Sequence, residues 1–169
     1  MRHVKGDLLE LFTQGQFGVI VHACNCGCNM GDGIARQIRD KFHGAYEADL
    51  NTTKWSKAKL GTYSTVRTEY GVIVNAYTQY HWNGVGPNGG PLTQYEAVES
   101  VFRKLKREYG GLGVTFGVPA IGAARAGGDW AVISRIIDKE LHDEDVVFVE
   151  YDGLDPRGDF RRNMSTSLV

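Results

Sequence analysis

Short apolar runs rich in β-branched residues alternate with helical patterns along this chain, and this alternation most constrains its fold. Strands are predicted at six places, namely residues 3–5, 19–21, 62–66, 72–74, 113–118 and 146–149. Amphipathic helices are predicted from Ile34, Tyr95 and Trp130 onward. Strands separated by helices form a largely parallel sheet with both faces covered. We therefore predict an α/β fold, with a mixed, largely parallel sheet between two helical layers.

The 169 residues are enough for one domain. We predict a single domain over residues 1–153 and a polar C-terminal tail over residues 154–169. The chain has 19 basic and 20 acidic residues, a balance that predicts no broad nucleic-acid surface and no membrane partner. The N-terminus shows no secretory signal, and three closely spaced cysteines are a poor disulfide framework. We expect a cytoplasmic monomer.

Two loops of small residues each lead into a predicted helix. The first, residues 22–35, follows the strand at 19–21, and the second, residues 119–130, follows the strand at 113–118. A helix start presents unpaired N–H groups and a partial positive charge, which suits a phosphate. Ligands of such sheets bind outside the carboxyl ends of the strands. The two loops are either merely tight turns or, as we predict, bind the two ends of one diphosphate.

The first loop does not match the common nucleotide motifs. A P-loop requires a Lys-Ser or Lys-Thr pair after its last glycine, whereas Ile34 and Ala35 follow Gly33 here. A dinucleotide fingerprint requires glycine or alanine three residues after its second glycine, and that position is Arg36. These mismatches weigh against ATP and NAD as ligands.

In these loops and at both ends, the chain resembles the macro domain family, whose members bind ADP-ribose. The similar segments are residues 4–8, 21–25, 31–35, 119–130 and 149–151. Residues 22–26 are most similar to the branch that contains the ADP-ribose 1''-phosphate phosphatases. The resemblance implies the macro domain form of the three-layer α/β/α sandwich, with ADP-ribose or ADP-ribose 1''-phosphate as the ligand.

The resemblance also implies roles for individual residues. Asp7 would accept a hydrogen bond from the adenine amino group beside the Leu8 backbone, and Tyr151 would pack on the adenine. Asn25 would bind the distal ribose. Backbone N–H groups of both loops would hold the diphosphate, and the residues concerned are Gly31, Gly33, Ile34, Ala35, Gly122, Ala123, Ala124, Arg125, Ala126 and Gly127.

The activity implied is hydrolysis of ADP-ribose 1''-phosphate to ADP-ribose and phosphate, which makes the chain a phosphatase, with no cofactor and no metal. The candidate catalytic residues are Asn25, His22 and Asp32. The chain departs from the family where Asp32 replaces the usual Gly or Ala, and it lacks the Lys and Asp of the glycohydrolase branch. Two alternatives remain: recognition of ADP-ribose without catalysis, and removal of ADP-ribose from modified protein or nucleic acid.

Each candidate also has a purely structural interpretation. Asp7 and Asp32 suit helix starts, and Asn25 suits a left-handed loop position. His22 is either a satisfied core group or a base near the terminal phosphate. Arg125 pairs with a phosphate or is simply exposed.

The three cysteines, Cys24, Cys26 and Cys28, favour small buried packing. Their spacing is too close for a closed zinc site, which needs four ligands. A nucleophilic role is the third possibility. His81, in a glycine-rich loop, is a weaker catalytic candidate than His22.

Overall fold

The computed structural model describes residues 1–153, so the predicted tail at 154–169 lies outside the described residues. The strands are β1 (Arg2–Gly6), β2 (Val19–Cys24), β3 (Tyr63–Arg67), β4 (Val72–Tyr77), β5 (Thr115–Val118) and β6 (Asp145–Tyr151). The helices are α1 (Leu8–Thr13), α2 (Gly33–Lys41), α3 (His43–Leu50), α4 (Tyr95–Tyr109) and α5 (Trp130–Glu140). Within the described residues, no helix is long and apolar enough to cross a membrane.

All six strands join one sheet in the order β1-β6-β5-β2-β4-β3. Only β3 runs antiparallel, paired with β4, while the other pairings are parallel. The predicted mixed, largely parallel sheet is therefore confirmed. Because five strands point the same way, the loops that follow β1, β2, β4 and β5 begin at one edge of the sheet.

The side chains of β2 alternate between the two faces of the sheet, and the core accordingly has two layers. Val19 and Val21 face a cluster with Phe102 and Ile133, on the side covered by α4 and α5. Ile20 faces the opposite cluster, with the apolar residues of α1 and α2. Successive strand residues point to opposite faces, so a strand buried on both sides is apolar throughout, as β2 largely is.

Residues 1–153 contain two α-helices beyond the three predicted from the sequence. Asp7 suits a helix start at Leu8, and it does cap α1 by accepting from the Glu10 N–H at 3.0 Å. Helix α3 was missed because its buried face carries Ala45 and the carboxylate of Asp49 instead of an apolar stripe. The Asp49 carboxylate accepts a hydrogen bond from the Tyr77 hydroxyl at 2.7 Å.

Thr93 followed three residues later by Glu96 predicts a capping box at the start of α4, and this prediction is wrong. The N-cap is Gln94, with no side-chain hydrogen bond to the helix. Thr93 is buried and donates instead to the Gly122 carbonyl at 2.8 Å. A fixed loop carbonyl competes for this hydroxyl, so spacing alone could not assign its partner.

Replacing Phe116 with alanine should test the packing of the central strands. Phe116 is fully buried on β5, so the cavity left behind should lower the free energy of unfolding by about 3–5 kcal/mol in urea denaturation. Leu112→Ala is the control, because Leu112 is 67% exposed and its loss should change stability by less than about 0.5 kcal/mol. Equal effects of the two substitutions would contradict this account of the core.

Candidate functional site

The first loop is held in shape by its own carboxamides. The Asn25 amide nitrogen donates to the Asn29 carbonyl at 2.9 Å, and the Asn25 oxygen accepts from the Gly27 N–H at 2.9 Å. The side-chain oxygen of Asn29 in turn accepts from the Gly31 N–H at 2.9 Å. Asn25 is therefore both a loop-shaping residue and a cleft residue, with one amide hydrogen still available to a ligand.

Helix α2 begins at the end of this loop. Asp32 is its N-cap and accepts from the Gly33 N–H at 2.8 Å. The N–H groups of Gly31 and Gly33 are thus engaged by side chains, whereas those of Ile34 and Ala35 have no acceptor among residues 1–153. Unpaired N–H groups at a helix start are a ready anion site.

The second loop is fixed from beneath by Thr93. The Thr93 N–H donates to the Ala126 carbonyl at 3.2 Å, and its hydroxyl donates to Gly122. Gly122 has a φ of 68°, and a Cβ there would lie 2.5 Å from the Thr93 hydroxyl oxygen. Glycine is therefore required at this position for both its backbone conformation and the close approach.

Three successive N–H groups of the second loop are open. Ala123 and Gly127 donate to carbonyls within the loop, at 3.2 and 3.0 Å. The N–H groups of Ala124, Arg125 and Ala126 have no acceptor in the described part of the chain. Successive unpaired N–H groups form a concavity that favours an anion.

Both loops border one cleft of about 370 Å³. Asn25, Gly31, Asp32 and Ala35 of the first loop and Arg125 of the second are among the residues that line it. Arg125 and Asp32 form an ion pair that joins the two loops. Both side chains are about half exposed, so the pair contributes little to stability and remains free to exchange partners.

A narrower recess lies beside the first turn of α2. Asp7, Leu8 and Tyr151 line it together with Ile34, the neighbour of Ala35 in the cleft. The Asp7 carboxylate uses one oxygen to cap α1, which leaves the other available. The structure thus brings together the residues predicted for the adenine end.

The catalytic role predicted for His22 does not agree with its position. Its side chain is fully buried and donates from Nε2 to the Asn75 amide oxygen at 2.7 Å. Asn75 is itself satisfied, since its amide nitrogen donates to the Ala45 carbonyl at 2.9 Å. Burial lowers the pKa of His22 to about 4, partly opposed by the Asn75 hydrogen bond. His22 is therefore a neutral core residue that does not line the cleft.

The three cysteines are free and buried. Only Cys24 lines the cleft, and burial raises the pKa of its thiol well above the usual value. Burial also raises the pKa of Cys26 to about 11. A thiol that stays protonated is a poor nucleophile. Within residues 1–153, no three His, Cys, Asp or Glu side chains are placed to share a metal ion.

Several lining residues were missed from the sequence. Asn29, Gln79 and Trp82 line the cleft, and Gln37 and Pro119 line the recess. Asn29 had a signal, because an Asn two residues before a glycine favours a side-chain turn of the kind it makes. Gln79 and Trp82 had none, since they follow β4 in a loop whose path no periodicity defines. His81 lies beside Trp82 but outside the cleft.

The chain has a relative among known proteins. The chain is 33% identical over 162 residues to the uncharacterized 17.5 kDa protein of the tk-vs intergenic region of Enterobacteria phage T4, covering 91% of this chain and 98% of the phage protein. The chain belongs to the family of this phage protein. No protein-family model matches it.

Solved structures show that this chain has the macrodomain fold. The macrodomain of Thermus aquaticus DarG superposes with a TM-score of 0.67 at 23% identity, covering 88% of this chain and 95% of that one. Thermosipho africanus DarTG in complex with ADP-ribose superposes with a TM-score of 0.65 at 17% identity, covering 82% of this chain and 39% of that one. The three-layer α/β/α fold predicted from the sequence is therefore confirmed.

The burial of His22 predicts a pH-dependent stability. The folded-state pKa of about 4 lies below the ordinary value of 6.5, so the unfolded chain binds the extra proton between these pH values. The contribution of His22 is complete above pH 6.5 and should fall by about 3 kcal/mol as the pH approaches 4.

Urea unfolding of the wild type and of His22→Gln, from about pH 7 to about pH 4.5, measures this contribution. The variant should lose most of the dependence of stability on pH. The same dependence in both proteins would show that another group is responsible.

Proposed function

We propose that the cleft and the recess together bind ADP-ribose, and that the chain hydrolyses ADP-ribose derivatives at the distal ribose. One observation carries the proposal: two loops at the same sheet edge present unpaired N–H groups, from Ile34 and Ala35 on one side and residues 124–126 on the other. Two such anion sites flanking one cleft suit a diphosphate. The presence of ADP-ribose in the Thermosipho africanus structure, which has this fold, supports the same ligand.

In this proposal the ligand lies along the start of α2. Adenine occupies the recess, where Asp7 accepts from its amino group and Tyr151 packs against the ring. The diphosphate passes between the loops, and Arg125 exchanges Asp32 for a phosphate oxygen. The distal ribose lies at Asn25, in the wider cleft.

The first candidate reaction is phosphate release from ADP-ribose 1''-phosphate. Once Arg125 has turned to the diphosphate, the Asp32 carboxylate is free to orient a water molecule. Water then attacks phosphorus and gives a proton to the Asp32 carboxylate, the bond between phosphorus and the 1''-oxygen breaks, and the departing ADP-ribose takes a proton from solvent. Asp32 afterwards returns its proton to solvent. The free amide hydrogen of Asn25 stabilises the charge that develops on the phosphoryl oxygens. With His22 buried, Asp32 and Asn25 are the remaining catalytic candidates.

Exchanging the Asp7 carboxylate for a carboxamide tests the proposed binding mode. Asp7→Asn keeps the cap of α1, because asparagine caps as well as aspartate, but it presents an NH₂ group to the adenine amino group. Loss of a charged hydrogen bond should weaken ADP-ribose binding by roughly tenfold or more in calorimetric titration.

Asp129→Asn is the matched control, since Asp129 caps α5 and lies outside the lining of cleft and recess. Wild-type affinity in Asp7→Asn would place adenine elsewhere. No binding of ADP-ribose by the wild type would refute the whole proposal.

A second experiment separates catalysis from recognition. Incubation with ADP-ribose 1''-phosphate should release phosphate from the wild type, and Asp32→Asn should slow that release by about 100-fold while preserving the cap of α2. Tight ADP-ribose binding with no phosphate release would leave a recognition module or an enzyme for another derivative. Loss of ADP-ribose from a labelled modified protein or nucleic acid would identify the latter.

A further inference from the structure

A second cavity, of about 290 Å³, opens beyond the ribose end of the cleft. It shares Asn29 and Trp82 with the cleft, so a group attached to the distal ribose has a direct path into it. Arg39, Lys54 and Trp55 are among its other lining residues, and none of the described residues that line it is acidic. The cavity therefore combines aromatic rings with positive charge.

Three aromatic rings beside this cavity stack on one another. Trp55 stacks on His81, with ring centres 5.0 Å apart and an interplanar angle of 19°. His81 lies 4.8 Å from Trp82 in turn, and Trp82 is 47% exposed. Exposed aromatic faces stack on nucleobases without regard to their identity.

Trp55 is held against the first loop before any ligand arrives. The backbone N–H of Trp55 donates to the Cys26 carbonyl at 2.6 Å, and the backbone carbonyl of Trp55 accepts from the Tyr80 hydroxyl at 2.8 Å. A Cβ on Gly27 would lie 2.4 Å from the Trp55 ring, so glycine allows this contact. A surface that is already ordered loses little conformational entropy when a planar group binds to it.

Two cations flank the aromatic surface. Lys54 is exposed and makes no ion pair within residues 1–153. Arg39 pairs with Asp40 at 3.3 Å, and its guanidinium lies 5.8 Å from the centre of the Tyr46 ring. Rings that can stack on a base and cations that can bind the neighbouring phosphates match a nucleotide, whereas no single amino-acid side chain combines an aromatic ring with a phosphate.

We propose that this second cavity is a subsite for a nucleotide carried on the distal ribose, which makes ADP-ribosylated single-stranded nucleic acid a second substrate class beside ADP-ribose 1''-phosphate. This inference rests on the proposed binding of ADP-ribose in the cleft. The charge is local, so it is compatible with the balanced charge of the whole chain. NAD places a planar ring at the same ribose carbon, but Lys54 and Arg39 disfavour that ring because it is positively charged.

Displacement of fluorescent ADP-ribose, read before any turnover, tests the subsite on the full chain. The competitors are ADP-ribose, NAD, a short single-stranded oligonucleotide with one ADP-ribosylated base, and a peptide with one ADP-ribosylated side chain. The oligonucleotide should bind at least about tenfold more tightly than ADP-ribose, while NAD and the peptide should not. Preference for the peptide, or equal binding of ADP-ribose and the oligonucleotide, would overturn the subsite alone.

Variants of Trp82 and Lys54 then test the contributions of ring stacking and of the phosphate contact to oligonucleotide binding. Trp82→Ala should lower the preference for the oligonucleotide over ADP-ribose by about tenfold, and Trp82→Phe should restore part of it. Lys54→Ala should reduce the salt dependence of oligonucleotide binding by about one phosphate contact, a slope change of roughly 0.7.

Lys139→Ala, which removes an exposed lysine of α5, should leave that salt dependence unchanged. Equal salt slopes in the Lys54 and Lys139 variants would refute the phosphate contact, and an unchanged preference in Trp82→Ala would refute stacking. If the wild type does not bind fluorescent ADP-ribose at all, the proposed function fails and the subsite with it.

Discussion

Parallel pairing around β2 is the constraint on which the rest of the structure depends. Hydrogen bonds join β2 to β4 on one side and to β5 on the other, and both pairings are parallel. Parallel neighbours must be connected by crossovers, so their carboxyl ends meet at one edge of the sheet. This geometry brings the first loop, after β2, next to the second loop, after β5. Segments about a hundred residues apart in sequence therefore share one cleft.

Much of the architecture could be predicted because β-branched runs and apolar helical stripes are local signals. Asp7 and Tyr151 were indicated for the adenine end by the resemblance to macro domains, and both lie at the carboxyl end of a strand and line the recess. Contacts between residues far apart in the sequence could not be predicted. Thr93 looked like a helix cap and fixes Gly122, while His22 looked like a cleft residue and bonds to Asn75. In both cases the hydrogen-bond partner lies on another part of the fold, and the spacing of residues in the sequence does not identify it.

The cleft is built from neutral backbone groups with one compensated charge pair. Open N–H groups of both loops supply a positive potential without bulky side chains, and the pairing of Arg125 with Asp32 keeps the entrance close to neutral. Beyond Asn29 and Trp82 the surface consists of aromatic rings and the cations Lys54 and Arg39. In the proposed binding mode, the common ADP-ribose part and the group attached to it contact largely different residues, with Asn29 and Trp82 shared between the cleft and the second cavity.

The central claim is that the open N–H groups of both loops hold one diphosphate. Titration of ¹⁵N-labelled protein with ADP-ribose, followed by amide chemical shifts, tests it most directly. The account predicts large shifts for the amides of Ile34, Ala35 and residues 124–126 in the same titration, with one common affinity. Shifts confined to one loop, or absent from both while ADP-ribose perturbs another surface, would contradict it.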